Sequence, residues 1–166
     1  MAFTQIFALV ILAFAVDALD WKNCDEISPG KFTEITLSPD PVKLRKGERV
    51  RFGGKFTVTG EAGTEYKLHI KLQKKVWFTW VTIPCRSNFG SCTYDIGCNQ
   101  MKDVLEGAQC PLENGQYIVK ERTVTLPDVS IPSWIKNGKY FLRVDLSETG
   151  NKRRIACLEA TLGVRS

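Results

Sequence analysis

Four stretches of this chain alternate apolar and polar residues with a period of two, the signature of a strand with one buried face. Tyr66, Leu68, Ile70 and Leu72 alternate with Lys67, His69, Lys71 and Gln73. Tyr140, Leu142, Val144 and Leu146 alternate with Lys139, Arg143 and Asp145, and Ala156, Leu158, Ala160 and Leu162 stand opposite Cys157, Glu159 and Thr161. In the fourth stretch Val50, Phe52, Phe56 and Val58 share a face, and Gly53-Gly54 between them predicts a bulge or the close approach of another backbone. Shorter strands are expected at Trp21–Asp25, Phe32–Leu37 and Gln116–Val124, and a hairpin turn at Ser147 to Asn151. With turn signals such as Ser28-Pro-Gly30 and Ser38-Pro-Asp-Pro41 between them, these runs predict an all-β sandwich or open barrel. The one helix expected is a turn or two within Asn99–Glu106, where Met101, Val104 and Leu105 share a face.

Residues Met1 to Ala18 stand apart from this pattern. Ile6 to Val16 is an unbroken apolar run, too short to span a bilayer and soon followed by polar sequence, which reads as a signal peptide. Cleavage after Ala15 and after Ala18 fits the small-residue rule equally. The remainder, 19–166, is long enough for one domain. Export makes the six cysteines candidates for disulfides. Cys85 and Cys92 bracket a short loop and predict a small closed ring, while spacing leaves Cys24, Cys98, Cys110 and Cys157 open.

With a single histidine, His69, and no Cys-x-x-Cys pair, no zinc ligand set is present and no cofactor is implied. The formal charge of +5 favours anionic partners, lipid head groups or acidic glycans, whereas the scatter of basic residues argues against nucleic acid. A catalytic triad would have to use His69, which lies between Lys67 and Lys71 on a polar strand face. Asp25, Glu26, Glu34, Asp95 and Glu159 read as surface or turn charges and not as a glycosidase pair. No catalysis is expected.

Lys75 to Pro84 (KVWFTWVTIP) carries more aromatic surface than one strand can bury on a single face. Either an edge strand lays Trp77 and Trp80 over the core, or Trp77, Phe78 and Trp80 form a lipid-facing rim beside Lys74 and Lys75.

Several motifs carry a resemblance. Trp21-x-x-Cys24-Asp25, Leu37-Ser-Pro-Asp-Pro41, Ile83-Pro-Cys85 followed by Gly90-Ser-Cys92-Thr93, Cys110-Pro111 before Gly115-x-Tyr117, and Leu126-Pro-Asp128 before Ile131-Pro-Ser-Trp134 resemble the ganglioside-activator members of the ML (MD-2-related lipid-recognition) domain family, from Trp21 to about Val164. The resemblance implies the pairs Cys98–Cys110 and Cys24–Cys157, the latter closing a loop worth about 4–5 kcal/mol in the chain-entropy model. Vertebrate activators carry eight cysteines, and the inner pair between Cys98 and Cys110 is missing here.

The fold implied is an immunoglobulin-like β-sandwich opened into a β-cup with an apolar lipid cavity. The function implied is secreted or lysosomal: the cup lifts a glycosphingolipid or phospholipid from an anionic membrane surface and presents it to a soluble glycosidase such as β-hexosaminidase. A secreted inhibitor or immune co-receptor subunit of the same fold is the alternative. By alternation Phe56, Val58, Leu68, Ile70, Leu72, Tyr140, Leu142 and Leu158 face inward, and the resemblance makes them cavity walls and not a filled core. Trp77, Phe78, Trp80, Trp134 and Ile135 are the residues suited to its mouth, flanked by Lys74, Lys75 and Lys136.

Overall fold

Strands as long as these, polar on one side and apolar on the other, bury their apolar faces by stacking as two sheets. The structure, a computed structural model, describes residues 19–43, 45, 47–125 and 136–165. The expected leader, Leu126-Pro-Asp128, and the motif ending in Trp134 and Ile135 lie outside the described residues.

The elements in chain order are β1 (Asp20–Asn23), β2 (Gly30–Ser38), β3 (Val42–Lys43), β4 (Arg49–Val58), β5 (Glu65–Val76), β6 (Thr79–Thr82), β7 (Thr93–Gly97), α1 (Cys98–Val104), β8 (Leu105–Glu106), β9 (Gly115–Thr125), β10 (Gly138–Glu148) and β11 (Arg154–Arg165). The larger sheet runs β1-β11-β10-β5-β6, with β3 beside β11 and β7 beside β5; the smaller runs β2-β4-β9-β8. Only the β3–β11 pairing among these is parallel. The all-β sandwich expected from the alternation is what forms.

Register turns the alternation into a surface, because directly paired residues share a face. Leu68 pairs Leu146, which pairs Ala156; Ile70, Val144 and Leu158 form the next row, and Leu72, Leu142 and Ala160 the one above. The opposite, outer face carries ion pairs: Glu159 pairs with Lys22 at 3.4 Å and with Arg143 at 3.1 Å, and Arg143 donates to Asp145 at 2.7 Å.

One end of the sandwich is packed solid. Tyr66, Leu112 and Ile155 are fully buried there with Val58, Ala62, Cys98 and Leu105. Glu148 fastens the same end, accepting from the Gly63 N–H at 2.8 Å and from Arg153 Nη2 at 2.7 Å. Its carboxyl is held below the ordinary glutamate value by the Arg153 hydrogen bond first, with help from Gly63 and Asn151. One long side is closed as well: β2 packs so tightly on β11 that a Cβ on Gly30 would lie 2.8 Å from the Ile155 carbonyl oxygen.

The disulfides are Cys24–Cys157, Cys85–Cys92 and Cys98–Cys110, the pairs drawn from spacing and resemblance. The expected helix starts one residue earlier and stops at Val104, because Leu105 and Glu106 pair instead with Val119 and Ile118 as β8.

At mid-height the smaller sheet breaks register in all three of its long strands, between Phe32 and Glu34 in β2 and between Phe52 and Gly54 in β4 against β9. Gly54 is required at that level, since a Cβ would sit 2.1 Å from the Glu34 carbonyl oxygen. Bulges bend strands, and beyond this level the sheets no longer fill the space between them.

Candidate functional site

Above the packed end lies a cavity of about 840 Å³. Its floor includes Phe32 and Phe56, whose ring centroids stand 5.0 Å apart. The larger sheet contributes Leu68, Ile70, Leu72, Leu142, Val144 and Leu158, and the smaller contributes Ile35, Leu37, Val50, Phe52 and Val119. The far end is roofed by a second apolar cluster of Val42, Ile83, Tyr140 and Val164. Among the described lining residues only Thr36, Tyr94, Asp95, Gln100 and Tyr140 carry polar side-chain atoms. Such a wall offers dispersion and water exclusion and almost no hydrogen bonds, which suits hydrocarbon.

Sheet order fixes where the cavity opens. With β2 closed on β11, the opposite side lies between β6 and β7 on the larger sheet and β9 and β8 on the smaller, and α1 touches β7, β8 and β9 across it. The lining residues Phe52, Val104 and Val124 are 39%, 37% and 45% exposed and mark this mouth.

Of the residues expected to face the interior, Phe56, Leu68, Ile70, Leu72, Tyr140, Leu142 and Leu158 line the cavity. Val58 does not; it is buried in the packed end. Alternation missed Tyr94 and Ile96, whose strand is only five residues long, and Phe89, which sits in a loop. Met101 and Val104 line the wall through the helical face noted in the sequence.

The aromatic stretch forms a hairpin at the edge of the larger sheet. Val76 ends β5, the chain reverses at Trp77-Phe78, and Lys75 pairs Trp80 on the returning strand. None of Trp77, Phe78 and Trp80 lines the cavity. Trp77 and Phe78 project at the hairpin tip, 87% and 95% exposed. Trp77 holds φ +56°, a left-handed conformation that costs a bulky L-residue about 1–2 kcal/mol. Trp80 lies on the outer face against Phe141, ring centroids 5.9 Å apart, with Lys75 Nζ 5.9 Å from its ring.

Lys74, expected to flank the mouth, is buried on the inward side. Its Nζ donates to the Asn137 carbonyl and stands 5.7 Å from the Tyr140 ring. Burial lowers the Lys74 pKa and pushes the Tyr140 hydroxyl up to about 12. His69 is exposed on the outer face, with Nδ1 2.8 Å from Thr93 Oγ1.

An apolar cup of this topology is matched in sequence by the model of the ML domain, over residues 18–164. The chain belongs to the ML domain family. This ML domain is 28% identical to the ganglioside GM2 activator of Mus musculus over 160 residues, 87% of this chain and 81% of that protein. It is 31% identical to the phosphatidylglycerol/phosphatidylinositol transfer protein of Emericella nidulans over 142 residues, 84% of this chain and 70% of that one. Among solved structures it is similar to a Niemann-Pick type C2 protein from the Japanese carpenter ant, with a TM-score of 0.53 at 15% identity, covering 88% of this chain and 99% of that one. That likeness bears on the fold, which is the β-sandwich described above.

Proposed function

We propose that this ML domain is a lipid carrier that extracts a glycosphingolipid or phospholipid from a membrane and presents it to a soluble hydrolase. The cavity carries the reading. Each methylene moved from hydrocarbon to water costs about 0.8 kcal/mol, so a chain of about sixteen carbons resists leaving a bilayer by more than about 10 kcal/mol. A void of about 840 Å³ walled almost entirely by hydrocarbon offsets that cost, and its size falls in the usual range of ligand pockets, about 300–1,000 Å³.

The hairpin tip is the membrane contact. Trp77 and Phe78 stand free of the core at the end of the sheet edge that borders the open side, where aromatic rings partition into a bilayer interface. Three disulfides and the leader-like segment support an exported or lysosomal protein in which residues 19–166 act as one domain. The function is carriage without catalysis: the single histidine is on the outer face, bonded to Thr93, away from the cavity. The similarity to a GM2 activator and to a phospholipid transfer protein supports both lipid classes.

Delipidated protein incubated with vesicles of phosphatidylcholine, phosphatidylglycerol and a ganglioside, then separated and examined by native mass spectrometry, tests the reading. One bound lipid per chain is expected. Replacing Trp77 and Phe78 by Ser is expected to slow uptake from vesicles several-fold and to leave uptake of detergent-dispersed lipid unchanged. A protein that takes up no lipid from either source would instead be a binding module of the same fold.

A further inference from the structure

The mouth has a charge as well as a shape. Arg122 pairs directly with Phe52 across β4 and β9, so the two side chains leave their sheet on the same face, and Phe52 is a cavity wall. Val124 and Val119, on either side of Arg122 along β9, line the cavity too. The guanidinium therefore stands at the rim, where its Nη2 donates to the Asp103 carbonyl of α1. Lys120 Nζ donates to the neighbouring Lys102 carbonyl at 3.1 Å. Both cations complement the carbonyl end of the helix, and Lys102 adds a third positive charge on that same turn.

None of Arg122, Lys120 and Lys102 makes an ion pair among the described residues, although Asp103 and Glu121 are close in sequence. The one carboxylate among the described cavity-lining residues, Asp95, is already matched by Lys67 at 2.9 Å. The rim thus carries three cations without an ion-pair partner among the described residues, beside an interior that offers almost no polar partner.

We propose that Arg122, assisted by Lys120 and Lys102, is a head-group site that selects anionic lipids. A phosphate or carboxylate oxygen of the head group takes the guanidinium N–H groups that the Asp103 carbonyl leaves open, while the acyl chains occupy the cavity. Arg presents a rigid fork of donors suited to such oxoanions, and the flanking lysines supply point charge. The inference rests on the cavity being a lipid site and adds which lipids it prefers.

The test uses the full delipidated chain and three probes with the same dioleoyl chains in phosphatidylcholine vesicles: dioleoylglycerol, dioleoylphosphatidic acid and dioleoylphosphatidylglycerol. A monosialylated glycosphingolipid and its asialo form, run alongside, separate a carboxylate from a phosphate as the anion. Bound lipid is quantified after extraction. Arg122→Gln is expected to lower the apparent affinity for the anionic probes about ten-fold, the effect of losing a charge-assisted hydrogen bond, and to leave dioleoylglycerol unchanged. Arg122→Lys is expected to restore part of the preference, and Lys120→Gln with Lys102→Gln to lower it about three-fold, as does added salt. Equal losses for charged and uncharged probes, or none for either, would overturn the head-group site while leaving the cavity reading intact. A wild-type protein that takes up none of the probes, dioleoylglycerol included, would overturn both.

Discussion

The two halves of this sandwich are made by the same strands and yet differ in kind. Around Tyr66, Leu112 and Ile155 the sheets interlock, stapled by Cys98–Cys110 and by Glu148. Past the register breaks at Phe32/Glu34 and Phe52/Gly54, strands with the same inward faces border a void. The lesson is that alternation decides which residues face inward, whereas the distance between sheets is set elsewhere, here by a band of bulges in the thinner sheet. One half holds the fold together; the other is kept hollow at some expense of stability.

The sharpest way to break that comparison is to make the same truncation in both halves. Leu112→Ala leaves a new cavity among close-packed neighbours and is expected to destabilise by about 2–5 kcal/mol, while Leu142→Ala, already bordering the void, is expected to cost less than about 1.5 kcal/mol. Urea denaturation of the two delipidated variants measures both, and equal costs would mean that the upper half is in truth filled. Filling the void from one wall, as in Ala160→Phe, should block lipid uptake with little effect on the denaturation midpoint.

A smaller effect lies in the polar staple of the packed end. Because the folded Glu148 carboxyl titrates below the ordinary 4.5, its contribution is fully present above about pH 4.5 and is lost as pH falls through the folded value. Glu148→Gln should therefore cost about 1–3 kcal/mol at neutral pH, still cost most of that at pH 5, and converge on wild type in stronger acid. A melting-temperature difference that grew on acidification would contradict this assignment. The smallest effect belongs to the hairpin tip. Trp77→Gly relieves a left-handed bulky residue but frees the unfolded chain, so thermal unfolding should shift by less than about 1 kcal/mol while vesicle uptake slows.

The pattern of what could be read in advance follows from these causes. The inward faces of β5, β10 and β11 were legible because period two holds unbroken from Tyr66 to Leu72, from Tyr140 to Leu146 and from Ala156 to Leu162. Gly53-Gly54 flagged the bulge, though not that neighbouring strands break register at the same height. The reversal at Trp77-Phe78 was not legible, since neither residue is a turn former and the backbone there is held by the pairing of Val76 with Thr79. Lys74 misled because its inward position is made tolerable by a backbone carbonyl and a tyrosine ring from another strand. Arg122 carried no signal of its own; it became a rim residue only once the register set it beside Phe52.

The hollow interior also makes this protein a mechanical object. An apolar void contributes volume to the folded state that unfolding eliminates, so hydrostatic pressure favours the unfolded chain in proportion to the space left empty. Acyl chains lodged there remove that volume difference. The loaded protein should thus withstand pressures that unfold the empty one, and the pressure at half-unfolding, followed by tryptophan fluorescence, becomes a direct gauge of how much of the cup a given lipid occupies.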